Sequence, residues 1–285
     1  MKNSVKTLLL LVLLVVGSLL TSCTDEAFDK SSITNTIQLE EFASYDSEIE
    51  SNFDEIDDLS LSVMESTNVE GGRMEGDNRF NCATVTRDTV DNTIVITVDF
   101  GEGCEGPGGH VRRGTLIIYK TGNHWEPGSS HSVQLLDFFI DDVQLLGTRT
   151  VTNISESLEV NPTFSVILSD GQIIWEDGTS ATRSIERIRT LYRNENPLGD
   201  EIHVTGITSG INRDGTEING VIEDDLIFSR SCRTRGIPVP VSGINSITMG
   251  DESVSIDYGD GECDRTALVT KGEETFEVEL KRKRK

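Results

Sequence analysis

Asp257, Asp260, Glu262 and Asp264 place four carboxylates in eight residues around Gly259 and Gly261. Oxygen ligands on a flexible loop are what calcium takes, so this segment is the best local candidate for a metal site, and calcium is the ion it suits. Asp99, Glu102 and Glu105 form a thinner version. Neither follows the EF-hand spacing, in which alternate ligands close on a bidentate glutamate. Acidic residues are abundant throughout the chain, so a hairpin turn pinned by a disulfide at Cys263 is the plainer reading of the same residues.

Imidazoles offer a second chemistry. His124-Trp125-Glu126 with His131 could bring two histidines and a carboxylate together, as a metal hydrolase requires. Pro127, Gly128, Ser129 and Ser130 put these residues on a loop between strands, where unrelated polar side chains are the simpler expectation. His110 and His203 stand apart. Gly101-Glu102-Gly103-Cys104-Glu105-Gly106 matches a dinucleotide fingerprint in letters only, because Pro107, Gly108, Gly109 and a further strand follow where a helix N-terminus is needed. The chain has no Gly-x-Ser-x-Gly elbow and no His-Glu-x-x-His helix. Trp125, beside a Pro-Gly loop, is the candidate for an exposed aromatic that stacks on a sugar ring or other ligand, whereas Trp175 is expected in the core.

The elements that must position these residues begin with an address. Lys2 and Lys6 precede an apolar run from Leu8 to Val16, which is short for a transmembrane span, and Leu20-Thr21-Ser22-Cys23 follows. This resembles the signal of bacterial lipoproteins, whose lipobox cysteine carries acyl chains after the leader is removed; the resemblance implies residues 1–22 as signal peptide and Cys23 as the lipidated residue. Acyl chains at about 0.8 kcal/mol per buried CH₂ would anchor the protein firmly. An acidic, polar tether, residues 23–35, comes next. Its acids resemble the export signal of flavobacterial-type lipoproteins, and both faces of the outer membrane stay open.

Lys and Arg number 25 against 49 Asp and Glu, a formal charge of −24 that loss of Lys2 and Lys6 would deepen. Nucleic acid is excluded as a partner, since binding it depends on cationic side chains displacing counterions. The exception is a basic tail, residues 281–285, read as a solvated end.

Between Thr36 and about Ser66, Leu39, Phe42, Tyr45, Ile49, Phe53, Ile56, Leu59 and Val63 recur at steps of three and four, which predicts an amphipathic helix over 36–66 capped by Asn35 or Thr36. Asp46, Glu48, Glu50, Asp54, Glu55, Asp57 and Asp58 fall largely off that stripe. Having no Lys or Arg on its polar face, the helix should pack on the protein's own sheet, or else on a partner, rather than on lipid.

From Phe80 the chain reads as β. Runs such as Ile94–Phe100, Thr115–Tyr119, Val133–Ile140 and Thr163–Leu168 are rich in Val, Ile, Thr and Phe, and Asp170-Gly171, Asp177-Gly178, Asp214-Gly215, Gly250-Asp251 and Lys271-Gly272 supply hairpin turns. Pro238 and Pro240 put their segment at an edge or in a loop. In an oxidising compartment Cys82, Cys104, Cys232 and Cys263 read as two disulfides. Three pairings are open, and chain order and local context favour Cys82 with Cys104 and Cys232 with Cys263. Ile96 to Cys104 also echoes Ser255 to Cys263, which suggests related halves within a β-domain spanning 80–280.

With these features assembled, the chain resembles an uncharacterised family of flavobacterial-type (Bacteroidota) cell-envelope lipoproteins. The likeness is carried by the lipobox, the acidic helix, Asp99-Phe100-Gly101 near Cys104, Gly147-Thr148-Arg149-Thr150, and Asp257-Tyr258-Gly259-Asp260-Gly261-Glu262-Cys263-Asp264. It implies a place in the envelope and a β fold, and no activity. The expected architecture is all-β, an antiparallel meander, sandwich-like or a curved open sheet, with one N-terminal amphipathic α-helix. The expected role is a lipid-anchored structural or binding module of the outer membrane, without catalysis. A glycan- or calcium-dependent binding protein of an uptake system is the second reading and a hydrolase the third.

Overall fold

A computed structural model describes residues 30–66, 69–70, 73–74, 77–91 and 93–280, with side chains in the first helix described from residue 41. The expected leader, the lipidation site Cys23 and the basic tail lie outside the described residues. The sheet, its core and its cavity all belong to one compact unit that begins at Leu39.

Helix α1 spans Lys30–Glu65. It begins earlier than the hydrophobic stripe predicts, so Asn35 and Thr36 lie inside it instead of capping it, and the last residues of the expected tether are helical. The physical reason is local: no Gly or Pro interrupts Lys30 to Thr36, and Ser, Thr and Asn cost only a few tenths of a kcal/mol each inside a helix, about 0.5 kcal/mol relative to Ala. No helix of the described residues is long and apolar enough to cross a membrane.

Strands β1 (Val69–Glu70) and β2 (Arg73–Met74) form a small separate ribbon. The rest are β3 (Thr84–Val90), β4 (Thr93–Asp99), β5 (Cys104–Glu105), β6 (Val111–Thr121), β7 (Ser130–Ile140), β8 (Val143–Asn153) and β9 (Thr163–Ile174). They continue as β10 (Ser180–Tyr192), β11 (Glu201–Ile211), β12 (Glu217–Ser229), β13 (Ser242–Met249), β14 (Glu252–Asp260), β15 (Thr266–Lys271) and β16 (Glu274–Glu279). A one-turn helix, α2 (Arg230–Thr234), separates β12 from β13. These strands make one 14-stranded antiparallel sheet whose spatial order follows the chain, with only the short β5 set aside on β6. The expected meander is therefore the fold.

The stripe on α1 is buried, with Ile49, Phe53, Ile56, Leu59 and Val63 at 0–1 % exposure. It packs on residues such as Val85 of β3, Ile96 of β4, Leu116 of β6, Val133 of β7 and Ile185 of β10. Phe42 and Ala43, nearer the start of the helix, join a second cluster with Ile218, Ile247, Val254 and Val269 from β12 to β15. Thirteen strands laid flat would span roughly 60 Å at 4.8 Å per strand, whereas the helix from Phe42 to Val63 is only about 30 Å long at 1.5 Å per residue. One helix touches strands near both edges because the sheet curves round it. Of the two expected forms, this is the curved open sheet, its edge strands being β3 and β16.

Curvature has a visible cause. The ladder registers shift at Arg113/Thr115, Leu146/Thr148, Val204/Ile207 and Ser242/Ile244, and Gly114, Gly147, Gly206 and Gly243 sit at those bulges. Bulges bend the strand and increase its twist. Gly114 has φ +79°, and a Cβ there would lie 2.0 Å from the Asp137 carbonyl oxygen, so only glycine fits. Asp170-Gly171 corrects an expectation. It lies within β9, opposite a register shift in β10, because the positive φ of Asp170 (+52°) serves a bulge as readily as a turn.

Both disulfides take the expected pairing, Cys82 with Cys104 and Cys232 with Cys263. Each ties a helical turn to a hairpin end. The sequence echo extends to hydrogen bonds, since Asp99 accepts from the Gly101 N–H at 2.8 Å and Asp257 from the Gly259 N–H at 2.9 Å.

Candidate functional site

The acids of α1 are not a solvated face. Asp46, Glu50, Asp54 and Asp57 or Asp58 follow one another at helical spacing, and each meets an arginine. On β10 the inward positions alternate as Ala181, Arg183, Ile185 and Arg187, all buried, with Arg189 next in the same parity. Arg183 Nη2 lies 3.2 Å from Asp46, and Arg187 grips Glu50 with Nη1 and Nη2 at 2.6 and 2.9 Å. Arg189 bridges Asp54 and Asp57, as does Arg149 from β8, whose Nη2 lies 2.8 Å from Asp57. Arg112 of β6 holds Glu55, and Arg233 of α2 holds Asp58. Burial alone would raise the Asp54 carboxyl, but Arg189 and Arg149 overcome it and hold the group below its ordinary range. Glu50 goes the other way: its burial outweighs Arg187, and its pKa is raised.

Beyond this ladder, where the C-terminal part of α1 meets β7 to β11, the structure leaves a cavity of about 120 Å³. Leu61, Val151, Phe164, Val166, Leu191 and Ile202 supply apolar walls. Trp125, His124 and His131 complete one side, and Asp57, Asp58, Arg189 and Arg233 the other. The bulges matter here, because one lies in β11 just beyond Ile202 and another in β8 just before Arg149.

The loop carrying His124 and Trp125 is more ordered in its contacts than its sequence suggests. Ser129 Oγ and Asn153 Nδ2 both donate to the His124 carbonyl at 3.1 Å. The His124 ring stacks on Phe164 at 4.6 Å with 9° between planes, and His131 follows at 5.5 Å. Trp125 is half-buried, not freely exposed. Its Nε1 donates to Glu65 at 2.7 Å, and the Arg193 guanidinium lies over its ring at 5.2 Å. Burial pushes both imidazoles down to about 4, and for His124 the neighbouring His131 adds to the effect. At neutral pH both are uncharged.

Ser60 Oγ lies 3.4 Å from His131 Nε2, but the serine is fully buried and its hydroxyl donates to the Asp57 carbonyl at 2.9 Å. That hydroxyl is committed and unreachable, so the pair is a packing contact rather than a nucleophile with its base. His110 pairs with Asp141, the His203 ring lies tilted against Tyr192 at 4.3 Å, and neither lines the cavity. Trp175 is buried against Tyr45, as expected.

The carboxylates around Gly259 are not brought together. Asp257 caps its own turn, and Asp264 accepts from the N–H and hydroxyl of Thr266 at 2.9 and 3.0 Å, while Asp260 and Glu262 are exposed. Among the described residues no group of three or more His, Cys, Asp or Glu is placed to hold a metal ion. Sequence reasoning missed Arg149, Arg189, Arg233 and the inward role of Asp57 and Asp58. The available signal was the matching parity of Arg183, Arg187 and Arg189 with Ile185, set against acids at steps of three and four on the helix. Comparison with protein-family models, with curated proteins and with solved structures finds no match to this chain.

Proposed function

We propose that this chain is a lipid-anchored lipoprotein of the cell envelope that acts as a binding module, holding a small, mainly apolar molecule in the cavity beneath α1. The cavity carries the reading. Its walls are aliphatic and aromatic, its two imidazoles are neutral, and its charged groups are paired. Such a concavity suits retention of a ligand through burial of apolar area, with a few polar groups to orient it. Paired charges and stacked imidazoles favour holding over chemistry. Trp125 favours a small ligand over a sugar platform, because Arg193 already covers one of its faces.

The lipobox at Leu20 to Cys23 and the acidic residues behind it support anchoring. Replacing Cys23 with Ala should abolish palmitate labelling, and persistent label would remove the anchor. The uncharged one-ring alcohol 2-phenylethanol should bind the mature protein saturably in titration calorimetry, in keeping with a cavity of about 120 Å³. Ile202→Trp, which fills the cavity from a half-buried position, should abolish that signal. An unchanged signal would place the probe elsewhere and sink the binding reading.

A further inference from the structure

At one side of the cavity the two ion pairs differ in how much of their hydrogen-bonding capacity is already used. Arg189 is held by two carboxylates, with Nη1 2.7 Å from Asp57 and Nη2 on Asp54. Among the described residues Arg233 is held by one, Asp58, and this pair is the more accessible, with side-chain exposures of 28 % and 44 %. A guanidinium has five N–H donors and a carboxylate about four acceptor sites, so a single contact leaves capacity on both partners. The protein itself shows the next step, because Arg149 and Arg189 each donate to two carboxylates at once. Arg233 can do likewise with a carboxylate brought by a ligand, and Asp58 can accept from an ammonium group.

Charge decides which head group fits. The accessible pair sums to zero, the imidazoles beside it are neutral, and the chain as a whole is strongly negative. A simple anion would meet Asp58 and an opposing long-range field, and a simple amine would meet Arg233. A head group carrying both charges pairs with each and leaves none uncompensated in the cavity mouth. The space of about 120 Å³ is somewhat smaller than the roughly 150 Å³ that accepts a whole benzene molecule, which suits a single side chain whose head group stays at the mouth.

We propose that the cavity binds a small apolar α-amino acid, its side chain among Phe164, Val166 and Leu191, its carboxylate on Arg233 and its ammonium on Asp58. The assignment rests on the binding-module reading and refines it.

Titration calorimetry on the mature protein with four compounds sharing a phenethyl body tests both levels: phenylalanine, 3-phenylpropionate, 2-phenylethylamine and 2-phenylethanol. Phenylalanine should bind at least about tenfold more tightly than the alcohol, the order expected of charge-assisted contacts. Asp58→Asn should turn the preference toward phenylpropionate, and Arg233→Gln toward phenylethylamine. A merely structural pair would weaken all four compounds together. Equal affinities for phenylalanine and phenylethanol, or no switch in either variant, would overturn the head-group assignment while leaving the cavity occupied. If none of the four binds, or if Ile202→Trp leaves their binding unchanged, the cavity reading itself falls and takes the assignment with it.

Discussion

Arg183 and Asp46 meet at 3.2 Å across 137 residues of sequence, with side-chain exposures of 0 % and 5 %. The guanidinium also donates to the Thr182 carbonyl at 2.9 Å and lies near Asn212 Oδ1 at 3.3 Å, but Asp46 is the carboxylate that balances its charge. This contact opens the ladder that sets α1 in register against β10.

Removing one partner of a buried pair strands the other charge, which costs about 3–5 kcal/mol. Asp46→Ala should therefore lower the urea midpoint sharply. The double change Asp46→Leu with Arg183→Met should recover most of the loss, because apolar side chains of similar volume replace a buried pair with little penalty. A single variant with near wild-type stability would show that the ladder does not hold the helix.

Gly114→Ala should destabilise the fold by about 2 kcal/mol or more, combining left-handed backbone strain with a Cβ forced onto the Asp137 carbonyl. Gly128→Ala is the control. Its φ is also positive, +82°, but no atom lies within 4 Å of the added carbon, so its cost should stay near 1 kcal/mol. Equal losses in the two variants would mean that close approach at the β6–β7 bulge contributes nothing.

His131, 5 % exposed, gives stability a defined pH dependence. Its folded pKa of about 4 lies below the ordinary imidazole value of 6.5, so the unfolded chain binds more protons between those values. Stability should be full above pH 6.5 and fall as the pH drops toward 4, with about 2 kcal/mol lost to this residue at pH 5. Comparing urea midpoints at pH 7 and pH 5 for wild type and His131→Gln checks this. His124, also held near 4, should leave a residual slope in that variant, so a slope undiminished by the substitution would show that His131 contributes none of it. Asp77 acts lower, between its ordinary 3.8 and about 2. Burial opposes its ionisation there, but hydrogen bonds from the Arg79 side chain, Ser62 and the Arg79 N–H prevail.

Much of this protein was legible in its residues alone. The spacing of Ile49, Phe53, Ile56 and Val63 announced a helix buried on one side, and the alternating Val, Ile and Thr runs between turns announced a meander. The count of Cys82, Cys104, Cys232 and Cys263 announced two disulfides, and their order and local context favoured, among three open pairings, the one they take. These are local consequences, because periods of 3.6 and 2.0 and the chemistry of a turn are written within a dozen residues. Only the tertiary structure could decide that Asp46, Glu50, Asp54 and Asp57 face arginines and not water, or that His124, Phe164, Leu191 and Arg233 enclose one space. Those relations join residues as much as 137 positions apart and depend on the register of each strand, which the bulges at Gly114, Gly147 and Gly243 shift by one residue and the bulge at Gly206 by two. A one-residue slip turns every side chain of a strand to the opposite face, so inward charge and cavity shape follow from the accumulated registers of the sheet and not from any single segment.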